Sequence, residues 1–236
     1  MTAGARTILV TGGTGALGTA VTKVLLDGGH RVAATWVVKE EAEAVRAELG
    51  PVDRLVLVEA DATDESSMAA ALEDVQAAFG PVEALVHLVG AWKGGERVEE
   101  TSLATWRRMI DLNLRCAFVC ARAVLPGMRE RGWGRLVFVS SRTAREGRAG
   151  QSAYAVSKAG VAVLAETIAE ENRGSDVTAN VVAPSTLDTP AGRAAMPDSD
   201  FSRWVPPADV AATIAFLVSQ EAGQLRGGWL PAYGGV

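Results

Sequence analysis

Thr7-Ile8-Leu9-Val10-Thr11-Gly12-Gly13-Thr14-Gly15-Ala16-Leu17-Gly18 lies close to the start of the chain. Its first four residues form an apolar, β-branched run of the kind that makes a buried strand. The glycines that follow let the backbone turn tightly and approach a ligand closely. A helical pattern continues from about Ala16 to Asp27 and is closed by Gly28-Gly29; Arg31 to Thr35 then reads as a second strand. Strand, glycine turn, helix and strand within about 30 residues make a βαβ unit. The helix N-terminus of such a unit offers free N–H groups and a partial positive charge to a pyrophosphate. The competing reading is a plain strand-to-helix connector, and the surrounding order favours the dinucleotide turn.

The alternation continues outward from this unit. Glu40 to Leu49 predicts an amphipathic helix stopped by Gly50-Pro51, and Leu55 to Val58 a strand followed by Asp61 and Ala62. Glu65 to Phe79 is a helix ended by Gly80-Pro81, and Ala84 to Val89 a strand followed by the loop Gly90 to Gly95. Leu103 to Arg131 reads as one long helix with Asp111 to Asn113 inside it, and Arg135 to Val139 as a strand ending at Ser140-Ser141. Gln151 to Asn172 is a helix and Val177 to Ala183 a strand. Residues 184–206 carry Pro184, Pro190, Pro197 and Pro206 and little periodicity, which predicts a long loop serving as a substrate lid. Pro207 to Ser219 is the last helix and Gly228 to Ala232 the last strand. The order predicts an α/β protein, a doubly wound Rossmann fold of about seven parallel strands with helices on both faces. No linker or repeat interrupts it, so residues 1–236 read as one domain.

Composition narrows the function classes. The 236 residues are 48% hydrophobic and carry a net charge of -5 without a basic block, so nucleic acid is not an expected partner. No apolar run approaches the roughly 20 residues needed to span a bilayer. Met1 to Arg6 is short and polar, unlike a signal peptide, and a cytoplasmic location is expected. Cys116 and Cys120 fall four apart in one helical pattern, and His30 and His87 stand alone. No metal site is expected from that set; buried thiols are. Trp133, between two glycines, reads as a turn residue packing a helix end.

Ligands of a doubly wound sheet bind at the carboxyl ends of its strands. The residues just after the strands are the glycine turn, Trp36, Asp61, Gly90, Ser141 and Pro184. The predicted helix from Gln151 starts beside the same edge and carries Tyr154 and Lys158 on one face, four residues apart. An ammonium near a phenol favours the phenolate and gives an acid–base catalyst near neutral pH.

These residues together resemble the short-chain dehydrogenase/reductase family, over essentially the whole chain. The glycine turn matches at Thr11, Gly12, Gly15 and Gly18, with Ala16 where the family often has another glycine. Ser141 stands thirteen residues before Tyr154, which with Lys158 matches the YxxxK motif. Only Gly90 survives of the family's Asn-Asn-Ala-Gly, which here reads His87-Leu88-Val89-Gly90. Ser185 replaces a usual glycine. The resemblance implies a nicotinamide cofactor held by Gly12, Thr14, Gly15, Ala16, Leu17, Trp36, Lys39, Asp61, Ala62, Gly90, Tyr154, Lys158, Pro184, Leu187 and Thr189. Within that set Asp61 would accept from the adenine amine. It further implies that Tyr154 moves the proton of the substrate oxygen, and that Lys158 tunes it and binds the nicotinamide ribose. Ser141, with Ser140 as the alternative, would donate to the substrate oxygen. Asn113 would hold a helix distortion and a water joining Lys158 to solvent.

Gly90 to Gly95, and Thr186 through Trp204, are similar to the tryptophan loop and substrate-side loop of dihydropteridine reductase-like members of that family. Trp92, Met196, Phe201 and Trp204 are accordingly candidates to line a pocket for a flat ring, against a reading in which the aromatics only pack the lid. Those members lack a catalytic serine, which Ser141 would supply and a general carbonyl reductase would use. Arg142, Arg145 and Arg148 either attract an anionic substrate or form a solvated loop. An acid at the end of the second strand normally marks NAD; Trp36 stands there, and Lys39 nearby would suit a 2′-phosphate, so NADP(H) is favoured over NAD(H). The expected activity is reduction of a carbonyl or conjugated C=N in a small, flat or aromatic substrate. A pterin reductase and a non-catalytic nicotinamide sensor are the alternatives. The family also implies a homodimer or homotetramer through the helices around 103–131 and 151–172, where Ala117, Val119, Cys120 and Val124 suit an interface or core equally.

Overall fold

The computed structural model describes residues 4–235. Its strands are β1 (Thr7–Thr11), β2 (Arg31–Trp36), β3 (Leu55–Glu59), β4 (Ala84–His87), β5 (Trp133–Val139), β6 (Asp176–Pro184) and β7 (Trp229–Ala232). They form one parallel sheet in the order β3-β2-β1-β4-β5-β6-β7. The order reverses between β1 and β4, and that switch point opens the crevice in which such sheets bind ligands. β1 alternates cleanly, as a strand buried on both faces must. Ile8 and Val10 enter one core with Val21 and Leu25 of α1 (Ala16–Asp27) and Val210 and Ile214 of α8 (Pro207–Leu217). Leu9 enters the other, with Met68 of α3 (Glu65–Phe79), Cys120 of α5 (Cys116–Arg131) and Val161 of α6 (Ser152–Glu171). α2 (Lys39–Leu49) follows β2.

Three expectations need correction. The helix expected over 103–131 is α4 (Leu103–Met109), a π-helical segment over Ile110–Arg115, then α5. The widened turn is centred on Asn113, whose side chain is drawn away to the β4 side rather than lying along the helix. The segment 184–206 is not one loop. It holds a short helix, α7 (Pro190–Ala195), a 3-10 turn over Phe201–Arg203 and a parallel bridge between Leu187 and Val205. Thr189 starts α7 by accepting from Gly192 N–H through Oγ1 at 3.1 Å, with Pro190 at the first helical position, where its missing N–H costs nothing. Trp133 is not in a turn: it opens β5, with the guanidinium carbons of Arg6 and Arg135 at 4.0 and 4.5 Å from its ring centroid. Ala117, Val119, Cys120 and Val124 are buried core residues. No described helix is long and apolar enough to cross a membrane.

Candidate active site

The glycine turn is tied to β2 by two hydrogen bonds: Gly12 N–H donates to Thr35 Oγ1 and Gly13 N–H to the Thr35 carbonyl, each at 3.1 Å. Gly12 has φ of +70°, a conformation only glycine adopts without strain. A Cβ on Gly13 would lie 2.5 Å from Ala34 Cβ, and one on Gly18 would lie 2.2 Å from the Gly12 carbonyl oxygen. The turn and α1 therefore pack backbone to backbone. α1 starts at Ala16 and Leu17 behind an extended Gly15, with no side-chain cap and no acid in its first turn. Its first N–H groups are thus free to meet an anion, and the residues present fit a dinucleotide diphosphate.

At the carboxyl end of β2, Trp36 closes the strand with its indole Nε1 buried and unpartnered among the described residues. Thr14 Oγ1 donates to Glu41 Oε2 at 3.1 Å, so a carboxylate that the sequence reading passed over stands beside the turn. Lys39 Nζ is 3.8 Å from Glu43 Oε1, both well exposed. Asp61 Oδ1 accepts from the N–H and hydroxyl of Thr63 at 2.8 and 2.7 Å, which fixes the carboxylate at the rim above buried Ala62.

Tyr154 and Lys158 lie in the first turns of α6, and the Lys158 side chain is buried. Burial pushes the Tyr154 phenol up from its ordinary pKa, and a hydrogen bond with the Ser141 side chain partly offsets the rise. The lowering expected from Lys158 is absent in the protein alone. Lys158 Nζ instead donates to the Val139 carbonyl oxygen at 2.9 Å, and its own burial pulls its pKa down to about 8. Ser140 is engaged elsewhere, donating to the Lys158 carbonyl oxygen at 2.7 Å, whereas Ser141 Oγ lies 2.9 Å from Thr143 Oγ1.

Asn113 joins three elements. Its Oδ1 accepts from Ala91 N–H at 2.9 Å, and its Nδ2 donates to the Ala91 carbonyl oxygen and to Ser157 Oγ, each at 3.0 Å. Ser157 Oγ donates in turn to the Tyr154 carbonyl oxygen at 2.7 Å. The fit is closed at Gly90, where a Cβ would stand 2.7 Å from Asn113 Oδ1 and 2.9 Å from Lys158 Nζ. Below this floor, Thr11 Oγ1 and His87 Nδ1 are 2.8 Å apart, and His87 Nε2 and Cys116 Sγ 3.3 Å. Cys116 donates to the Leu112 carbonyl oxygen at 2.8 Å, so its sulfur accepts from a His87 protonated on Nε2, and Thr11 donates to Nδ1. Desolvation, helped by the Lys158 charge, pushes the His87 pKa down to about 3, and burial pushes Cys116 up to about 11. Both are neutral links between the glycine turn and the π-helical segment.

Of the residues expected to line the substrate pocket, Trp92 is 61% exposed and Met196 is exposed, while Trp204 is 7% exposed. Phe201 meets Trp204 edge to face with centroids 4.9 Å apart. These two aromatics pack against each other within the segment 184–206. Leu187 bridges to Val205, Pro184 pairs with Ala232 in the sheet, and Ser185 Oγ donates to the Tyr233 carbonyl oxygen at 2.6 Å. Arg142 and Arg145 lie over the rings of Tyr233 and Trp229 at 5.0 and 4.3 Å, so neither is simply solvated. Thr143, Ser157 and Glu41 were missed by sequence reasoning. Ser157, one residue before Lys158, was within reach of a helical-face argument; nothing in the sequence marks the other two.

The sequence profile described as short chain dehydrogenase matches residues 6–200. The 3-oxoacyl-[acyl-carrier-protein] reductase MabA of Mycobacterium tuberculosis (strain ATCC 25618 / H37Rv) is 34% identical, over 98% of this chain and 92% of its own. The cis-4-hydroxycyclohexanecarboxylate dehydrogenase of Sinomonas cyclohexanicum is also 34% identical, over 98% and 96%. The crystal structure of levodione reductase superposes with a TM-score of 0.90 at 27% identity, covering 98% of this chain and 96% of that one. The chain belongs to the short chain dehydrogenase family and is an NAD(P)-dependent oxidoreductase.

Proposed function

We propose that the protein reduces the carbonyl of a small, ring-bearing substrate, or oxidises the corresponding alcohol, with Tyr154 as acid and base. The observation that carries this reading is the placement of half-buried Tyr154 and buried Lys158 on the first turns of α6 with buried Ser141 at the end of β5, at the same rim as the open start of α1. When bound, the nicotinamide supplies or accepts the hydride. The protein's own residues do the rest. In reduction the substrate oxygen gains negative charge; Ser141 donates a hydrogen bond to it and Tyr154 transfers its proton to it. Burial keeps Tyr154 protonated in the resting state, as an acid must be. The phenolate left behind is stabilised by the Lys158 ammonium, whose pKa of about 8 allows proton exchange near neutrality. Asn113 fixes the floor. Both side-chain polar atoms are engaged, so contact with a water on the proton path falls to its backbone carbonyl oxygen.

The ring-bearing substrate is supported by Trp92, exposed on the loop after β4, and by the relative that oxidises a cyclohexane alcohol. A pterin reductase is the second reading, favoured by the flat face that Trp92 offers and disfavoured by Ser141, which a C=N substrate does not need. For the dinucleotide we propose a modest preference for NADP(H). Trp36 offers no carboxylate to the ribose hydroxyls and Lys39 attracts a 2′-phosphate, while Glu41 opposes it and limits the discrimination. A homo-oligomer is proposed through α5 and α6, which leave Phe118, Val156 and Val163 exposed. The test is NADPH consumption with cyclic ketones, 3-oxoacyl thioesters and quinonoid dihydropterin. A cyclic ketone is expected to give the highest kcat/KM. Dihydropterin exceeding every ketone by about a hundredfold or more would instead establish the second reading.

A further inference from the structure

Ser141 and Thr143 form a pair of buried hydroxyls 2.9 Å apart, 9% and 7% exposed. Their separation is fixed by the backbone: a 3-10 turn over Arg142–Ala144 follows Ser141, and Ala144 N–H donates to the Ser141 carbonyl oxygen at 2.9 Å. Each hydroxyl has one hydrogen and two lone pairs. Ser141 donates to the phenol oxygen in the contact that lowers the Tyr154 pKa, and on the proposed function it must turn that single hydrogen to the substrate oxygen during turnover. Its contact with Thr143 can then run in one direction only, with Thr143 donating. Without that donor nothing turns the Ser141 hydroxyl, and its hydrogen can stay on the Tyr154 oxygen, the wrong acceptor for turnover.

We propose that Thr143 is a positioning residue that donates to Ser141 Oγ and thereby aims the Ser141 hydrogen at the reacting oxygen. The chain Thr143 to Ser141 to substrate also polarises the last bond, since successive hydrogen bonds strengthen one another in a site of low dielectric. This inference rests on the role given to Ser141 above. On this inference Thr143 acts through Ser141 and not directly on the substrate or the dinucleotide.

The test compares Thr143→Val, Thr143→Ser, Ser141→Ala and the double variant on one ketone substrate. Thr143→Val removes the donor at nearly constant shape and is expected to lower kcat about tenfold, the upper end of the worth of one hydrogen bond between neutral groups. The KM for the dinucleotide is expected to stay within roughly twofold. Thr143→Ser keeps a hydroxyl and is expected to restore kcat to within roughly twofold of wild type. In the Ser141→Ala background, Thr143→Val is expected to have no further effect, because its route to the substrate is already gone. Full activity of Thr143→Val alongside an impaired Ser141→Ala overturns this inference and leaves the proposed function standing. The same tenfold loss in both backgrounds also overturns it, since Thr143 would then act independently of Ser141. Full activity of Ser141→Ala overturns the assignment of Ser141 itself.

Discussion

Asn113 and Ser157 are joined across two helices by a hydrogen bond of 3.0 Å from Asn113 Nδ2 to Ser157 Oγ. The bond pins the π-helical segment to the turn of α6 that carries Tyr154 and Lys158. Asn113→Ala removes the partner of both half-buried backbone groups of Ala91 and one of the two hydrogen bonds of buried Ser157 Oγ, which keeps its bond to the Tyr154 carbonyl oxygen. Denaturant unfolding is expected to show a loss of about 2–3 kcal/mol, the penalty for buried polar groups left unpaired. Steady-state kinetics is expected to show a larger fall in kcat than in dinucleotide affinity.

Gly90→Ala tests the closeness of the same floor. The added Cβ would meet Asn113 Oδ1 at 2.7 Å and Lys158 Nζ at 2.9 Å, and the ammonium has to move. We expect at least a tenfold loss of kcat, a typical result of displacing a catalytic group by a fraction of an ångström. Wild-type kcat in this variant would mean that Lys158 tolerates displacement.

His87 predicts a pH dependence of stability. Its folded pKa of about 3 lies below the unfolded value of 6.5, so the native state binds fewer protons between those limits. The stabilisation is complete above pH 6.5 and is lost as pH falls towards 3. At ~1.4 kcal/mol per pKa unit, His87 removes on the order of 5 kcal/mol across that window. His30 titrates in the same direction, so the measurement is the difference between wild type and His87→Asn in urea midpoints from pH 7 to pH 4. The variant is expected to lose less stability on acidification.

Glu41 and Lys39 predict opposite shifts in dinucleotide choice. Glu41→Gln removes a negative charge beside Thr14 and is expected to raise the NADPH-to-NADH ratio of kcat/KM by about tenfold. Lys39→Ala is expected to lower the ratio by a smaller factor, because Lys39 is well exposed and screened. Equal ratios in wild type and both variants would remove these residues from the choice.

The architecture was legible because strand and helix periods alternate without interruption and glycines punctuate them at Gly28-Gly29, Gly50 and Gly80. The π-helical segment was legible only through the resemblance, which implied a helix distortion at Asn113, because an inserted residue leaves the helical pattern of 103–131 almost unchanged. The helix inside the lid was hidden by proline density, although Thr189-Pro190 is a recognisable start. Tyr154, Lys158 and Ser141 were singled out by their spacing and by the resemblance to the family's motif. Thr143 was not, since only the 3-10 turn after β5 brings its hydroxyl back onto Ser141. Glu41 was passed over because its link to Thr14 spans 27 positions, a separation that no local pattern encodes.

The most direct test of the account is turnover by Tyr154→Phe on the best ketone substrate, with dinucleotide binding followed by fluorescence. The variant keeps the ring and loses only the hydroxyl that forms the bond with Ser141. We predict a fall in kcat of about a thousandfold, with the dinucleotide Kd within roughly threefold of wild type. Turnover at the wild-type rate with unchanged binding would contradict the assignment of Tyr154 as the acid.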